Sequence, residues 1–225
     1  MTELEEHLKD FDIFPVMGKA QGNYNFAPID LGISNKQIEQ YSSDELATFI
    51  HSNAQSNNAA FSIGGYLEQR NLYASSEHFR SGTENRNIHL AIDIWGPVNT
   101  PIYAPIHGRI HSFAYNNAAL DYGYTLILYH NINGFIFHTL YGHLSSAHFN
   151  SWNVGKTIEK GSQIAHIGNE NENGGWIPHL HFQVIIDMEG KSGDYPGVCA
   201  KSNLLRYKQN CPDPSPLIKK APKEF

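Results

Sequence analysis

The chain has 225 residues, 40% of them hydrophobic, which is enough for one domain with a proper core. Its formal net charge of -6 argues against a nucleic-acid partner, because proteins that bind nucleic acids usually carry a basic surface. No apolar run approaches the ~18 residues that a membrane-spanning helix needs, so we expect no membrane span.

The first residues are acidic and show no signal peptide, since a basic segment followed by an apolar one is missing. The sequence as read therefore predicts a cytoplasmic protein, or a periplasmic or extracellular one if a leader was removed. Cys199 and Cys211 fit no zinc-binding spacing and are either disulfide-bonded or reduced. The sequence does not indicate an oligomeric state.

Residues 1–60 are predicted to form an N-terminal extension of helices and loops. Thr2 and Glu5 have the spacing of a helix-capping box, and so do Ser42 and Glu45. Apolar residues follow each pair at helical intervals, and the stretch between the two helices is rich in glycine and proline. We expect this extension to be a structural wrapper, with a regulatory role as the alternative.

Residues 61–190 are predicted to form the main domain, which is mainly β. Short segments alternate between apolar and polar residues and are separated by Gly, Asn and Pro turns. The candidate strands are residues 88–95, 102–106, 108–115, 124–130, 134–143 and 180–187. This pattern favours an antiparallel sandwich or barrel-like core. Residues 191–225 are rich in proline and glycine and are predicted to be an irregular C-terminal tail.

Two histidines share one face of the last predicted strand. Side chains alternate along a strand, so His179, His181 and Gln183 point the same way. The apolar residues between them, Leu180 and Phe182, point toward a core. A pair of imidazoles on one face can supply two metal ligands, or a ligand and a proton carrier.

His89 and Asp93 share a face in the same manner, with apolar residues between them. Residues i and i+4 on a straight strand lie about 13 Å apart, which is too far for both to bind one ion. If they share a metal, the chain must bend near His89. We therefore expect His89 at a strand entry or in a loop, and Asp93 inside the strand.

Two histidines and one carboxylate are a frequent ligand set for catalytic zinc, with the fourth position left to water. Zinc lowers the pKa of its bound water toward ~7, but hydrolysis also needs a proton carrier. His143 is a candidate for that role, because it follows Gly142 where a predicted strand ends at a pocket edge.

Residues 62–187 resemble the lysostaphin/LytM-type zinc metallopeptidases, a family of peptidoglycan endopeptidases. The resemblance extends over more than half of the chain, and its motifs occur in the family's order. These motifs are His89–Asp93, Thr100–Pro105 with Gly108, Tyr122–Gly123 with Leu126–His130, Tyr141–Leu144, Val154–Gly155, Lys160–Gly161, Gln163–Ala165 with Gly168, and Pro178–Phe182.

The resemblance implies a role for each matching position. His89, Asp93 and His181 would bind one zinc ion per chain. His143 and His179 would be catalytic: one would help to activate the zinc-bound water, and the other would stabilise the transition state. The implied fold is the family's β-rich core, with the site in a groove between loops. The implied substrate is a peptide bond in peptidoglycan crosslinks.

The sequence departs from the family pattern in three places. Ala91 stands where the family often has glycine. Some members carry a tyrosine shortly before the first ligand, and Tyr66 or Tyr73 is the candidate counterpart here. Some members also mask their ligands with an N-terminal segment, a role that Asn23 or Asn25 could have.

Two alternative functions remain open. One is a zinc hydrolase repurposed for a cytosolic peptide or amide, which the absent signal peptide favours. The other is a non-catalytic relative that binds cell wall or activates an amidase, although such relatives typically lose zinc ligands and this chain keeps all candidate positions. Six further histidines are interpreted as structural or surface residues: His107, His111, His130, His138, His148 and His166.

Overall fold

The computed structural model describes residues 2–18, 25–70, 80–81 and 84–218. Its helices are α1 (Glu3–Leu8), α2 (Ser43–Ser56) and α3 (Leu204–Asn210), with short 3-10 turns at Ile38–Gln40, Ser146–Ser151, Lys201–Asn203 and Ser215–Leu217. Its strands are β1 (Phe26–Pro28), β2 (Phe61–Gly64), β3 (Arg80–Ser81), β4 (Glu84–His89), β5 (Ile92–Trp95), β6 (Pro101–Tyr103), β7 (Gly108–Asn116), β8 (Gly123–Ile132), β9 (Phe135–Leu144), β10 (Thr157–Ile158), β11 (Gln163–His166), β12 (His179–Ile185) and β13 (Val198–Ala200).

The fold is mainly β, as the sequence predicts. The described strands form one eight-stranded sheet in the order β1-β2-β5-β12-β9-β8-β7-β10. Neighbouring strands in this sheet are antiparallel, except for the parallel pair β1 and β2. Two small sheets accompany it, β11-β6 and β13-β4-β3. The predicted mainly antiparallel β fold with short N-terminal helices is therefore confirmed.

The segment predicted as one strand over 88–95 is two strands, and this prediction needs correction. β4 ends at His89 and pairs with β13, whereas β5 begins at Ile92 and pairs with β12. The two strands belong to different sheets, so the chain must turn at Leu90 and Ala91. His89 is consequently the last residue of a strand, neither at a strand entry nor in a loop.

Both predicted helix-capping boxes are present. The Thr2 side chain accepts a hydrogen bond from the Glu5 amide, and the Glu5 carboxylate accepts one from the Thr2 amide. Ser42 and Glu45 make the same pair of contacts at the start of α2. Reciprocal bonds of this kind satisfy amide groups that have no partner within the helix.

The N-terminal extension also contributes a strand, which the prediction of helices and loops missed. In β1, Ala27 pairs with Ser62 of β2, which places β1 at the edge of the large sheet. Pro28 lacks an amide donor, and edge positions tolerate such a residue. Short strands that end in proline carry little local signal. The division at residues 60 and 190 stays a prediction.

The segment 191–225 is not irregular throughout. Val198–Ala200 forms the buried strand β13 against β4, and helix α3 follows it. The partner of β13 lies about a hundred residues earlier in the chain, so local glycine and proline signals could not reveal the pairing. Cys199 and Cys211 are both buried, and their thiols are free.

The large sheet carries the main core on the apolar face of β12. Leu180, Phe182 and Val184 are fully buried in that core. The alternate residues of β12, His179, His181 and Gln183, therefore occupy the other face of the strand. In the part of the chain that the structure describes, no helix combines the length and apolar character that crossing a membrane requires.

Candidate metal centre

Three neighbouring strands bring together the residues proposed as metal ligands. His89 ends β4, Asp93 lies in β5, and His181 lies in β12 directly opposite Asp93. These three side chains are buried, and one potential ligand atom from each lies within 4.8 Å of the others. The sheet register thus assembles the donor set that the sequence pattern suggested.

The bend at Leu90 and Ala91 lets His89 and Asp93 meet. His89 Nε2 lies 3.4 Å from Asp93 Oδ1, although the residues are four positions apart. On a straight strand they would be separated by about 13 Å. The expected bend between these two residues is confirmed, and Asp93 lies inside a strand as expected.

The spacing of the donor atoms suits a small tetrahedral cation. His89 Nε2 lies 3.2 Å from His181 Nδ1, and His181 Nδ1 lies 3.4 Å from Asp93 Oδ1. Tetrahedral zinc with bonds of 2.0–2.1 Å requires donor separations of about 3.3 Å. Asp93 Oδ1 is buried without a hydrogen-bond partner among the described residues. The residues present therefore fit a zinc ion.

In both candidate histidine ligands, the ring nitrogen that points away from the centre makes a hydrogen bond that fixes the ring. His89 Nδ1 donates to the Gly65 carbonyl at 3.0 Å, and His181 Nε2 donates to Gln183 Oε1 at 3.0 Å. The Gln183 amide is oriented in turn, because its nitrogen donates to the Pro196 carbonyl at 3.1 Å. With their protons on the outer nitrogens, both rings present bare nitrogens to the centre.

His143 and His179 lie next to the three candidate ligands. Their ring centroids are 4.3 Å apart, and both side chains are buried. His143 Nδ1 donates to the Asn173 carbonyl at 2.8 Å, and His179 Nδ1 donates to the Ile177 carbonyl at 2.7 Å. In both rings, Nε2 is therefore left as a proton acceptor.

His143 has an unusual backbone conformation, with φ at 62°. Non-glycine residues in this left-handed region cost of order 1–3 kcal/mol and occur frequently at active sites. Two backbone bonds hold the residue there: its amide donates to the Tyr122 carbonyl, and its carbonyl accepts from the Gly168 amide. The surrounding loops thus hold the His143 ring beside the metal centre.

Burial lowers the pKa of His89, His143 and His179 and so favours their neutral form, whereas neighbouring groups keep Asp93 ionised. Burial lowers the pKa of His89 to about 4. Burial, reinforced by the neighbouring histidines, lowers the pKa of His143 well below its usual range, and burial also lowers that of His179. Burial alone would raise the pKa of Asp93, but His89 and Arg70 together hold it well below its usual range. Neutral imidazole and carboxylate are the forms that bind metals.

Two residues of this centre were missed in the sequence. Arg70 is buried, and its Nη1 lies 2.6 Å from Asp93 Oδ2. The Tyr122 hydroxyl lies 3.4 Å from His181 Nε2 and donates to the Tyr195 carbonyl. Arg70 carries no local signal, and Tyr122 lies in a motif of the resemblance that indicated no role for it. Gln183 was placed on the strand face of the two histidines, but no role was predicted for it.

The two described tyrosine and asparagine candidates, Tyr66 and Asn25, have partners outside the metal centre. The Tyr66 hydroxyl donates to the Cys211 carbonyl at 2.9 Å. Tyr73 and Asn23 fall outside the described residues. Asn25 is exposed, and its carbonyl accepts a hydrogen bond from the Ala60 amide. A tyrosine does lie at the centre, but it is Tyr122 from a later segment.

Two cavities meet at the metal centre. A recess of about 470 Å³ is lined by apolar residues of the N-terminal extension, among them Leu31 and Ile50. A wider groove of about 990 Å³ is lined by residues of both charges, Arg86, Asp121, Lys191 and Asp194. His89, His143, Trp176 and His181 line both cavities. The six histidines interpreted as structural or surface residues line neither of them.

Several solved structures are similar to this chain. One is a zinc-containing peptidase from Vibrio cholerae, with 27% identity and a TM-score of 0.36 over 47% of this chain and 30% of that one. Another is the catalytic domain of the antimicrobial peptidase lysostaphin from Staphylococcus simulans, with 22% identity and a TM-score of 0.42 over 69% of this chain and 97% of that one. Helicobacter pylori Csd3 has 21% identity and a TM-score of 0.35 over 56% of this chain and 33% of that one.

The chain thus spans about 30% of the length of the Vibrio cholerae peptidase. No curated protein matches it. Residues 87–194 match the model of Peptidase family M23, and all five predicted site residues fall within this range. The segment that carries the candidate metal centre therefore matches Peptidase family M23.

Proposed function

We propose that this chain is a zinc metalloendopeptidase that hydrolyses peptide bonds in peptidoglycan crosslinks. One observation carries the proposal: the donor atoms of His89, Asp93 and His181 converge within 4.8 Å in a buried centre. The match of residues 87–194 to Peptidase family M23 supports the class of reaction. In this proposal the three residues bind one zinc ion per chain.

When bound, zinc would polarise the scissile carbonyl and lower the pKa of a water molecule toward ~7. The residues around the ion prepare the site for this chemistry. Gly65 and Gln183 fix the protons of the two ligand histidines on their outer nitrogens. The ligand set then has a single negative charge, on Asp93, which leaves a bound divalent cation with net positive charge to act on the carbonyl.

His143 and His179 are the proposed catalytic residues. Each ring has its Nδ1 proton engaged by a backbone carbonyl, so Nε2 can accept a proton. One of them would take the proton of the attacking water, and the other would stabilise the charge that develops on the carbonyl oxygen. His143 lines both cavities, and this position supports a role beside the substrate.

The wide groove suits a peptide that carries charges of both signs. Arg86 and Lys191 can contact carboxylates, whereas Asp121 and Asp194 can contact amines. Peptide stems of peptidoglycan have both groups, and this match supports the substrate class. The part of the recess that Leu31 and Ile50 line would receive an uncharged part of the substrate.

The test combines metal analysis with product analysis. Purified protein is expected to contain close to one zinc ion per chain by elemental mass spectrometry. Incubation with purified muropeptides is expected to yield new peptide fragments by mass spectrometry, and the variant His143→Ala should yield them about a hundredfold more slowly or less. A folded wild-type protein that does not bind zinc would contradict the proposal. Full zinc occupancy without muropeptide cleavage, but with cleavage of other peptides, would assign a different substrate.

A further inference from the structure

Arg70 is a buried cation held between two carboxylates. Its Nη1 lies 2.6 Å from Asp93 Oδ2, and its Nε lies 2.6 Å from Glu68 Oε2. Only 2% of the residue is exposed. A buried charge is costly unless it is paired, and the planar guanidinium of Arg70 can contact both acids at once.

Further contacts fix the position of this cation. Glu68 Oε1 accepts a hydrogen bond from the Leu31 amide at 2.9 Å, which ties the pair to the N-terminal extension. Arg70 Cζ lies 5.7 Å from the centre of the Trp95 ring, and that ring stacks on His179 at 5.6 Å. Arg70 therefore links the extension to a candidate metal ligand and to a wall of the centre.

The two oxygens of Asp93 consequently have different roles. Oδ2 is engaged by Arg70, whereas Oδ1 has no hydrogen-bond partner among the described residues. Oδ1 lies 3.4 Å from His89 Nε2 and 3.4 Å from His181 Nδ1. Without Arg70, the carboxylate could rotate and present either oxygen, or both, to an ion.

We propose that Arg70 is a positioning residue for the metal-binding carboxylate, which it holds so that Oδ1 alone faces the ion. Glu68 and the backbone of Leu31 hold Arg70 in turn. This inference rests on the zinc site of the proposed function. It assigns a role in that site to residues 31, 68 and 70, all of which precede the segment that matches the family model.

The positive charge of Arg70 is expected to weaken metal binding, whereas its hydrogen bond to Asp93 is expected to strengthen it. Its positive charge repels a nearby cation and makes Asp93 a weaker ligand, whereas its hydrogen bond orients the carboxylate. The variant Glu68→Gln/Arg70→Met removes one negative and one positive charge, so the net charge near the centre is unchanged. A change in metal affinity then reports the loss of orientation.

The experiment measures zinc affinity of the metal-free protein by competition with a chromophoric chelator. Glu68→Gln/Arg70→Met is expected to bind zinc about 10–100-fold more weakly, the range for residues that orient metal ligands. The visible spectrum of the cobalt(II) form is expected to weaken as well, because a released Asp93 can bind through both oxygens and raise the coordination number. The control is Arg86→Met, which removes an arginine that lines the groove but leaves Asp93 and its partner in place.

A folded double variant with wild-type zinc affinity and a wild-type cobalt spectrum would overturn the inference. If the double variant does not fold, the zinc affinity of Arg70→Lys tests the inference instead. Its single nitrogen keeps the charge but cannot replace the two-sided guanidinium, so zinc should bind about fivefold more weakly or worse. Unchanged affinity in Arg70→Lys would then reject the role of Arg70. A wild-type protein that does not bind zinc contradicts the proposed function itself.

Discussion

His89 Nε2 and His181 Nδ1 face each other at 3.2 Å, each with its proton on the opposite side of the ring. The protons are placed there because Gly65 and Gln183 offer acceptors to the outer nitrogens. Two nitrogen lone pairs at this distance repel each other unless a cation lies between them. The relationship predicts that metal binding and folding stability are coupled at this centre.

Removal of the metal should therefore destabilise the fold. A ligand that binds only the folded state at a thousand times its Kd stabilises it by about 4 kcal/mol. We expect a chelator to lower the Tm of the wild-type protein in differential scanning calorimetry. His181→Ala should show little response to the same chelator. Equal Tm values with and without the metal would argue against a zinc ion at this position.

The division into ligands and catalytic residues predicts that substitutions in the two groups have different effects on zinc content and hydrolysis. His181→Ala should lose most of the zinc because it removes one of three protein donors. His143→Ala should keep the zinc but lose hydrolysis by about a hundredfold or more, as expected for a proton carrier. Elemental analysis and a cleavage assay on the same preparations separate the two effects. Equal metal loss in both variants would show that the division is wrong.

Gln183 should influence zinc affinity through His181. Gln183→Leu keeps a similar volume but removes the acceptor of the His181 Nε2 proton, which lies 3.0 Å away. Residues in this role typically contribute 10–100-fold to metal affinity, so we expect roughly tenfold weaker zinc binding by chelator competition. The matched control is Gln163→Leu, at an exposed position of strand β11 that lines neither cavity of the centre. Wild-type affinity in Gln183→Leu would remove Gln183 from the site.

Gly65 should be intolerant of any side chain. A Cβ at this position would collide with the Arg70 guanidinium and would lie 3.0 Å from His89 Nδ1. Gly65→Ala is expected to lower both the free energy of unfolding and zinc affinity. Gly134→Ala is the control: Gly134 also has a positive φ, but nothing lies within 4 Å of its added Cβ. A similar loss in both variants would mean that backbone strain, and not the collision, is responsible.

His130 should make the protein sensitive to acid independently of the metal centre. Burial lowers its pKa from 6.5 to about 4, and its Nδ1 donates to the His107 carbonyl. Below pH 6.5 the unfolded chain takes up a proton that the folded chain does not. Stability is thus fully present above pH 6.5 and is lost as the pH falls toward 4.

This loss amounts to roughly 2 kcal/mol between pH 7 and pH 5. Urea unfolding at both values should show a smaller decrease for His130→Gln than for the wild type. His51→Gln, which changes an exposed histidine of α2, should keep the wild-type decrease. An unchanged pH dependence in His130→Gln would contradict the assignment.

Local patterns in the sequence were sufficient for part of the site. Alternation along β12 placed His179 and His181 on one face, and the distance argument between His89 and Asp93 required a bend. Both conclusions depend only on residues close in sequence and on the fixed geometry of a strand. The capping boxes of α1 and α2 were predictable for the same reason.

Contacts between distant segments were not predictable. Arg70 meets Asp93 because the segment after β2 runs beside β4, where the Arg70 amide donates to the Asn87 carbonyl, and no local pattern marks that arginine. Strand β13 was hidden among glycines and prolines because its partner, β4, lies far away in the chain. The pairing of β1 with β2 was not predicted, because a segment of three residues that ends in proline has the local pattern of a loop.

Helix α1 and the turn at Ser215–Leu217 contact each other, and Leu4, Leu8 and Leu217 lie in the same core. During synthesis on a ribosome, Leu217 is added about two hundred residues after Leu4. Leu4 therefore lacks this contact until the chain is almost complete. The N-terminal helix then remains without its final partner while the strands of the metal centre are already assembling. Completion of this core is therefore a late event, and it makes the folding of the protein depend on residues outside the catalytic segment.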